Sequence, residues 1–258
     1  MPTTATSIVN ASQCVGGQAA VASDGVFYAY INNIADDNTW RYTLIFASRD
    51  VADQWWRAVS TSNVALLQTN IQRITPQFYT HDPRQWNIYL FFTDPRVATV
   101  ADQFRGKFFM VLENDRVGRG ISIIPPQTVV DYTSGNWFTI RSRSNPNHYW
   151  FYDESQGFIV SSSTNRTSFQ INAPDVAVGT VMIGTDDITI RAPNQGYVNP
   201  GVASATGGNS LQVAGASSQV AFRYKFSDLK RGLFSASGTV ITYVHGGAGA
   251  GSGWEIWQ

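Results

Sequence analysis

Histidine and cysteine side chains, which could ligate a metal or supply a nucleophile and its base, are few and scattered in this sequence. They are His81, His148, His245 and Cys14. Their spacing is neither the His-x-x-x-His nor the combined cysteine and histidine pattern that assembles a zinc site. A single cysteine also cannot form an intramolecular disulfide. The sequence therefore predicts no metal site and no covalent cross-link within the chain.

The closest match to a catalytic serine motif is a glycine-rich run late in the sequence. The sequence Gly249-Ala250-Gly251-Ser252-Gly253 matches the Gly-x-Ser-x-Gly pattern. In enzymes with that pattern, the catalytic serine lies on a turn between a strand and a helix. A phosphate-binding glycine loop likewise precedes a helix whose first amides meet the anion. Here the strand-like segment Trp254-Glu255-Ile256-Trp257 follows instead. We therefore interpret the run as a hairpin loop and expect no catalytic serine and no cofactor.

Three pairs of adjacent carboxylates could serve glycoside hydrolysis, which needs two acids on either side of the sugar bond. They are Asp36-Asp37, Asp153-Glu154 and Asp186-Asp187. Each pair lies in a turn between strand-like segments, where acidic side chains usually bond local amides or face water. The sequence therefore favours a binding protein over an enzyme, and an enzyme with scattered catalytic residues is the least favoured alternative.

The segment from Asn145 to Asp153 combines aromatic rings with amide, imidazole and carboxylate groups. A sugar is bound by stacking on an aromatic ring while polar side chains take its hydroxyls. The alternative is that alternate members of the run 149–152 fill the core, which is the commoner outcome for any single residue. The candidate ligand-binding residues are Asn147, His148, Tyr149, Trp150, Asp153 and Asn165.

A second candidate site is the polar and aromatic stretch from residue 77 to residue 86. Loops on rigid scaffolds commonly carry binding residues, and this stretch is dense in groups that bind polar ligands. Its candidate residues are Tyr79, His81, Asp82 and Trp86.

Composition limits both the fold and the partners. The 258 residues include 18 basic and 18 acidic side chains, so no net charge attracts nucleic acid, and we expect none as a partner. Aromatic residues make up 13% and charged residues 14%, a balance that favours half-buried sheets. No apolar run approaches the roughly 20 residues of a membrane span. The N-terminal residues lack a secretory signal, which predicts a cytoplasmic location.

Local patterns divide the first part of the chain into short elements. The β-rich runs 26–31 and 40–46 flank turn-forming residues and predict a hairpin. Ser48 is a candidate N-cap for a helix over 49–60. Further strands are expected at 86–93, 107–113 and 118–124, with a short helical turn between 97 and 104.

Pro125-Pro126 then interrupts both strand and helix patterns. We therefore predict a β-rich α+β domain over 1–124 and a second domain over 127–258. The second part contains three strand-rich units, which end at Phe169-Gln170-Ile171, at 222–226 and at 254–257. Three such units in about 125 residues match the size and threefold plan of a β-trefoil.

The unit from Gly135 to Ile171 resembles one repeat of a ricin-B-type β-trefoil lectin. A strand, Trp137-Phe138-Thr139-Ile140-Arg141, is followed by a hairpin with aromatic and acidic residues. The unit ends with the segment Phe169-Gln170-Ile171. The Gln-x-Trp signature of that family is replaced by phrases such as Phe169-Gln170-Ile171. The chain is also similar in composition to fungal fruiting-body lectins, which are cytosolic and free of disulfides. The resemblance implies that Asp153 takes sugar hydroxyls, that an aromatic residue among 149–152 stacks, and that Asn165 is a further donor.

The sequence as a whole therefore predicts a mainly β protein with one or two short helices that binds carbohydrate, in fungal defence or recognition. Its partner would be a glycan or glycoprotein, without a membrane span. The alternative is a protein-interaction or protease-inhibitor-type β module that binds no sugar. Homodimerisation is compatible with both, because exposed sheet edges need cover.

Overall fold

Two β-sheets dominate the fold. The computed structural model describes residues 25–36, 39–113, 129–193, 196–203, 209–213, 221–245, 251 and 253–257. Within these residues sixteen strands form one sheet of five strands and one of eleven, and the helices are few and short. The predicted mainly β fold class is confirmed. The Pro125-Pro126 boundary and the strand expected at 118–124 lie outside the described residues.

The five-stranded sheet belongs to the first half of the chain, the residues up to 113. Its strands are β1 (Phe27–Asn33), β2 (Tyr42–Phe46), β3 (Ile71–Thr75), β4 (Phe78–His81) and β5 (Phe108–Leu112), in the order β3-β4-β1-β2-β5. The predicted hairpin is confirmed, since β1 and β2 are antiparallel with Phe27 opposite Phe46. β1 and β4 run parallel, so the chain must cross over between β2 and β4.

Helix α1 (Arg49–Thr61) makes part of that crossover, close to the predicted range. The Ser48 hydroxyl accepts a hydrogen bond from the Val51 amide at 3.3 Å and so caps the helix. Trp55 is fully buried and packs 5.5 Å from Phe46 between ring centroids. Further short helices are α2 (Ala65–Asn70), α3 (Ala98–Ala101) and 3-10 turns at Ile88–Leu90, Pro95–Val97 and Asp102–Phe104. These confirm the helical turn expected between 97 and 104.

The strand predicted at 86–93 is wrong. A 3-10 turn occupies Ile88–Leu90, and the Asn87 side chain accepts a hydrogen bond from the Tyr89 amide at 3.1 Å. Ile88 and Phe91 are both fully buried. A spacing of three puts both on one face of a helical turn, whereas a strand would put them on opposite faces. The strand expected at 107–113 is present as β5.

The eleven-stranded sheet belongs to the second half of the chain, the residues from 129 onwards. Its strands are β6 (Trp137–Ser142), β7 (Tyr149–Asp153), β8 (Phe158–Ser162), β9 (Phe169–Asn172), β10 (Asp187–Arg191), β11 (Val198–Ala203), β12 (Asn209–Val213), β13 (Tyr224–Lys225), β14 (Phe234–Ser237), β15 (Val240–Tyr243) and β16 (Trp254–Trp257). A final 3-10 turn covers Phe226–Asp228.

Strand pairing in this half brings distant segments together. The last strand, β16, pairs antiparallel with the first, β6, and places Trp254 opposite Ser142. β6 also pairs with β9, β9 with β10 and β10 with β13. The pairs β7–β8, β11–β12 and β14–β15 are hairpins, and they meet through β12–β8, β15–β8 and β12–β15 contacts.

Each sheet covers its own cluster of buried apolar side chains. The first cluster includes Ile31, Leu44, Phe46, Trp55 and Phe91, and the second includes Ile140, Trp150, Phe169, Phe234 and Ile256. Charged side chains join the two halves. Arg73 pairs with Asp131 at 2.8 Å and Arg57 with Asp186 at 3.2 Å.

Candidate functional site

The hairpin formed by β7 and β8 holds most of the predicted ligand-binding residues but separates them. Asn147 is exposed in the turn before β7, and Asn165 is exposed after β8. Tyr149 lies opposite Ser162, with the Arg166 guanidinium 5.9 Å from its ring centroid. His148 contacts Ser161 instead. Ser161 and Ser162 are neighbours in β8 and face opposite sides of that strand, so His148 and Tyr149 lie towards different faces of the hairpin.

Trp150, one of the predicted ligand-binding residues, belongs to the core. Its exposed fraction is 0%, and its ring packs against Phe169, Phe234 and Trp254 at centroid distances of 6.0, 5.2 and 5.8 Å. The strand alternation that points Tyr149 outward points Trp150 inward. A buried ring offers no face on which a sugar could stack.

Asp153 closes the β7–β8 turn. Its Oδ1 accepts hydrogen bonds from the amide and the hydroxyl of Ser155 at 3.0 and 2.6 Å, and its Oδ2 accepts one from Gln156 Nε2 at 2.9 Å. The Ser155 hydroxyl is the main reason that the pKa of Asp153 lies below its usual value. The turn therefore uses much of the hydrogen-bonding capacity that the prediction assigned to sugar hydroxyls.

The residues of the second predicted site are buried. The exposed fractions of Tyr79, His81, Asp82 and Trp86 are 0, 0, 6 and 2%. His81 Nε2 donates to the Trp40 carbonyl at 2.7 Å, and Trp86 Nε1 donates to Asp94 at 3.0 Å. Burial lowers the pKa of His81. Tyr79 and His81 belong to β4, and these polar contacts hold the loop that follows it to the sheet.

A pocket of about 290 Å³ in the second half does bring a predicted residue together with new ones. We call it the serine pocket. It lies where the end of β6, the loop before β7, β8, β14 and the start of β16 converge. Its lining consists of Ser142, Ser144, Asn145, His148, Ser161, Phe234, Ser235, Ala236, Gly251 and Trp254.

Hydrogen bonds fix the polar groups of the serine pocket. His148 Nδ1 lies 3.1 Å from the Ser161 hydroxyl, and the hydroxyls of Ser142 and Ser144 are 3.1 Å apart. Within the part of the chain that the structure describes, no lining side chain is Asp, Glu, Lys or Arg. The pocket therefore offers hydroxyl, amide and imidazole groups next to the largely buried Trp254, a combination suited to an uncharged polar ligand.

Sequence reasoning identified His148 as a candidate and Asn145 only as the start of its segment, and it missed the serines. Ser142, Ser161 and Ser235 come from three strands that are distant in the sequence. Isolated serines carry no local signal in the sequence. Trp254 joins the pocket lining through the pairing of β16 with β6. A sequence signal was available only for the hairpin.

Two further observations concern the described residues alone. They contain no cluster of three or more His, Cys, Asp or Glu side chains placed to hold a metal ion. Among their helices, none has both the length and the apolar character needed to cross a membrane.

No protein-family model, no curated protein and no solved structure matches this chain.

Proposed function

We propose that the protein is a carbohydrate-binding, lectin-like protein and that the serine pocket takes part of a neutral glycan. The observation that carries this proposal is the lining itself, in which serine hydroxyls, one amide and one imidazole surround a cavity beside a tryptophan. Sugar hydroxyls both donate and accept hydrogen bonds, as serine hydroxyls do. A lining without charged side chains suits a ligand that has no charge to pair.

A β-trefoil plan for the second half is part of the same proposal. Pairing of the first and last strands, together with three hairpins that meet one another, supports it. The division into a β-rich α+β domain and a trefoil domain is supported by the separate apolar clusters of the two sheets. Similarity to fungal fruiting-body lectins adds the proposal of a role in defence or recognition.

The outer face of the β7–β8 hairpin is the other place where a sugar could bind. Tyr149 lies on this face beside Arg166, and Asn165 is exposed nearby. This is the face that the lectin resemblance favours. The two locations make different predictions, because His148 contacts Ser161 and Tyr149 lies opposite Ser162, and these neighbouring residues of β8 face opposite sides.

A glycan-array screen with matched variants tests the proposal. The pocket variants are Asn145→Ala and His148→Ala, and Tyr149→Ala probes the outer face. Asn147→Ala is the control, because Asn147 is exposed in the same loop and does not line the pocket. We expect glycan binding that the pocket variants weaken and the control preserves, with folding confirmed by circular dichroism. Loss only in Tyr149→Ala would move the site to the outer face, and no bound glycan would contradict the proposal.

A protein-interaction module is the second candidate, favoured by the outer face of the first sheet. Tyr28, Ile45 and Phe109 stand side by side across β1, β2 and β5. Phe109 is 58% and Val111 41% exposed, and β5 is an edge strand. Contiguous exposed apolar surface marks interaction sites. A second copy of the chain is one such partner, and sedimentation of the wild type and of Phe109→Lys tests that case.

A further inference from the structure

A second cavity, of about 300 Å³, lies between the two halves of the molecule. Phe27 from β1 and Arg49 from α1 line it on one side, and Arg141 from β6 and Trp257 from β16 line it on the other. Its position and lining differ from those of the serine pocket. We call it the cationic cavity because of the charges described next.

Positive charge is concentrated in this cavity. The charged lining side chains are Arg49, Arg141, Arg143, Lys230 and Glu255, which is four cations against one carboxylate. The whole chain has a formal net charge of zero, so the excess is a local feature. Cations gathered in a partly enclosed, low-dielectric site attract anions more strongly than the same charges do on an open surface.

The carboxylates that balance these cations are mostly placed outside the cavity. Arg141 pairs with Glu255 within the lining at 2.5 Å. Arg49 pairs with Asp53 and Lys230 with Asp50, each at 2.7 Å. Neither aspartate lines the cavity. Arg49 also donates to the Val130 carbonyl at 3.0 Å, and Glu255 is the one carboxylate among the charged lining side chains.

Aromatic rings hold the cations in place. The Arg141 guanidinium lies 3.5 Å from the Trp257 ring centroid, and the Arg49 guanidinium lies 4.8 Å from that of Tyr132. Lys230 Nζ lies 6.0 Å from the same Tyr132 ring. Cation–π contacts of this kind restrict the side chains without neutralising their charge. The donors are therefore partly preorganised for an incoming anion.

We propose that the cationic cavity binds a phosphate or sulfate group carried by a small molecule. Arginine guanidinium groups match the geometry of tetrahedral oxyanions through paired N–H donors. The cavity volume is at the lower end of the range for small-molecule sites, and its aromatic wall gives an organic part of the ligand a surface to contact. A free inorganic ion shares the same chemistry, so the experiment separates the two sources.

Both halves contribute to the lining, so the bound anion stabilises their contact. A ligand that binds only the folded state raises the unfolding temperature, and the stabilisation grows with the logarithm of one plus the ratio of the ligand concentration to Kd. The ligand is therefore expected to act as a link between the two sheets.

Isothermal titration calorimetry at fixed ionic strength tests the site with three probes: inorganic phosphate, inorganic sulfate and phenyl phosphate. We expect saturable binding, tighter for phenyl phosphate than for the inorganic ions, and a rise in unfolding temperature that sodium chloride does not reproduce. Equal affinity for phosphate and phenyl phosphate would assign the site to the free ion. No saturable binding of any probe would overturn the proposal.

Charge variants place the binding in the cavity. We expect Arg143→Gln and Lys230→Gln each to weaken binding about tenfold, the effect of losing one charge-assisted hydrogen bond. Glu255→Gln removes the facing carboxylate and is expected to tighten binding several-fold, a gain that mere destabilisation would not produce. Arg105→Gln is the matched control, since Arg105 is exposed and lies outside the lining. Unchanged affinity in all three cavity variants would contradict the assignment, and His148→Ala is expected to leave this binding intact.

Discussion

Two stretches of the chain contain the same residue types but differ in how far their histidines are buried. Residues 77–86 and 145–153 both combine histidine, tyrosine, tryptophan and aspartate. In the first stretch His81 is fully buried and satisfied by backbone groups, whereas in the second His148 borders a pocket. Residue types alone therefore do not define a binding site. Strand register decides which of these side chains a ligand can reach.

The largest effect expected from this contrast is on stability in the first stretch. Trp86→Ala removes a buried ring and its hydrogen bond to Asp94, and we expect a loss of about 3–5 kcal/mol in the free energy of unfolding. Trp86→Phe keeps most of the ring and should cost only about 1–2 kcal/mol through the lost hydrogen bond. Urea denaturation followed by fluorescence measures both. A cost below about 1 kcal/mol for Trp86→Ala would show that the loop is not part of the core.

The second prediction concerns pH and His81. His81 Nε2 donates to the Trp40 carbonyl, and Nδ1 accepts from the Ile88 amide, so the folded structure satisfies the neutral ring. Because burial lowers the pKa of His81 when the chain folds, the unfolded chain takes up the proton first. Stability is therefore present above about pH 6.5 and is lost as the pH falls through that value towards the lower folded pKa.

Denaturation of the wild type and of His81→Gln at a series of pH values checks this. The variant should lose the part of the slope near pH 6 that arises from His81. An identical slope in both proteins would assign the pH dependence to other groups.

The third prediction concerns Ser161, a residue of the serine pocket in the second stretch's neighbourhood. Ser161→Ala removes a hydroxyl that contacts His148 and lines the serine pocket. We expect glycan affinity to fall about tenfold while the free energy of unfolding changes by less than about 1 kcal/mol. Calorimetry with a glycan selected on the array measures the first quantity and urea denaturation the second. A large stability loss with unchanged affinity would make Ser161 a structural residue.

The smallest effect is expected at Asn147. This side chain is exposed and outside the pocket lining. Asn147→Ala should change stability by less than about 0.5 kcal/mol, as surface substitutions usually do, and should leave glycan affinity unchanged. A clear loss of affinity would extend the binding surface to the turn before β7.

Local signals were sufficient for part of the fold. The β1–β2 hairpin and α1 were predictable because alternation, turn residues and the Ser48 cap all act over a few residues. β3 was not predicted, since its burial does not alternate and a bulge lies between Arg73 and Thr75. β4 was not predicted either, because residues 77–86 were interpreted as a loop, although the burial of β4 alternates and it pairs locally with β3.

Local sequence signals predicted less of the candidate site than of the fold. The sequence pointed to the segment that carries His148, because aromatic and polar residues are concentrated there. It could not show that Trp150 faces inward, nor that Ser235 and Trp254 would join His148 in one pocket. The place of Trp254 depends on the pairing of β16 with β6, in which Trp254 lies opposite Ser142, and that of Ser235 on the pairing of β14 with β15 and of β15 with β8.

The pairing of β16 with β6 also has a kinetic consequence. The Thr139 hydroxyl donates to the Trp257 carbonyl across 118 positions of the chain. Closing so long a loop is entropically costly, and folds dominated by such distant contacts form slowly. Trp254 lines the serine pocket, and Glu255 and Trp257 line the cationic cavity. Both sites are therefore completed by the same long-range pairing, and we expect ligand binding during refolding to report when that pairing has formed.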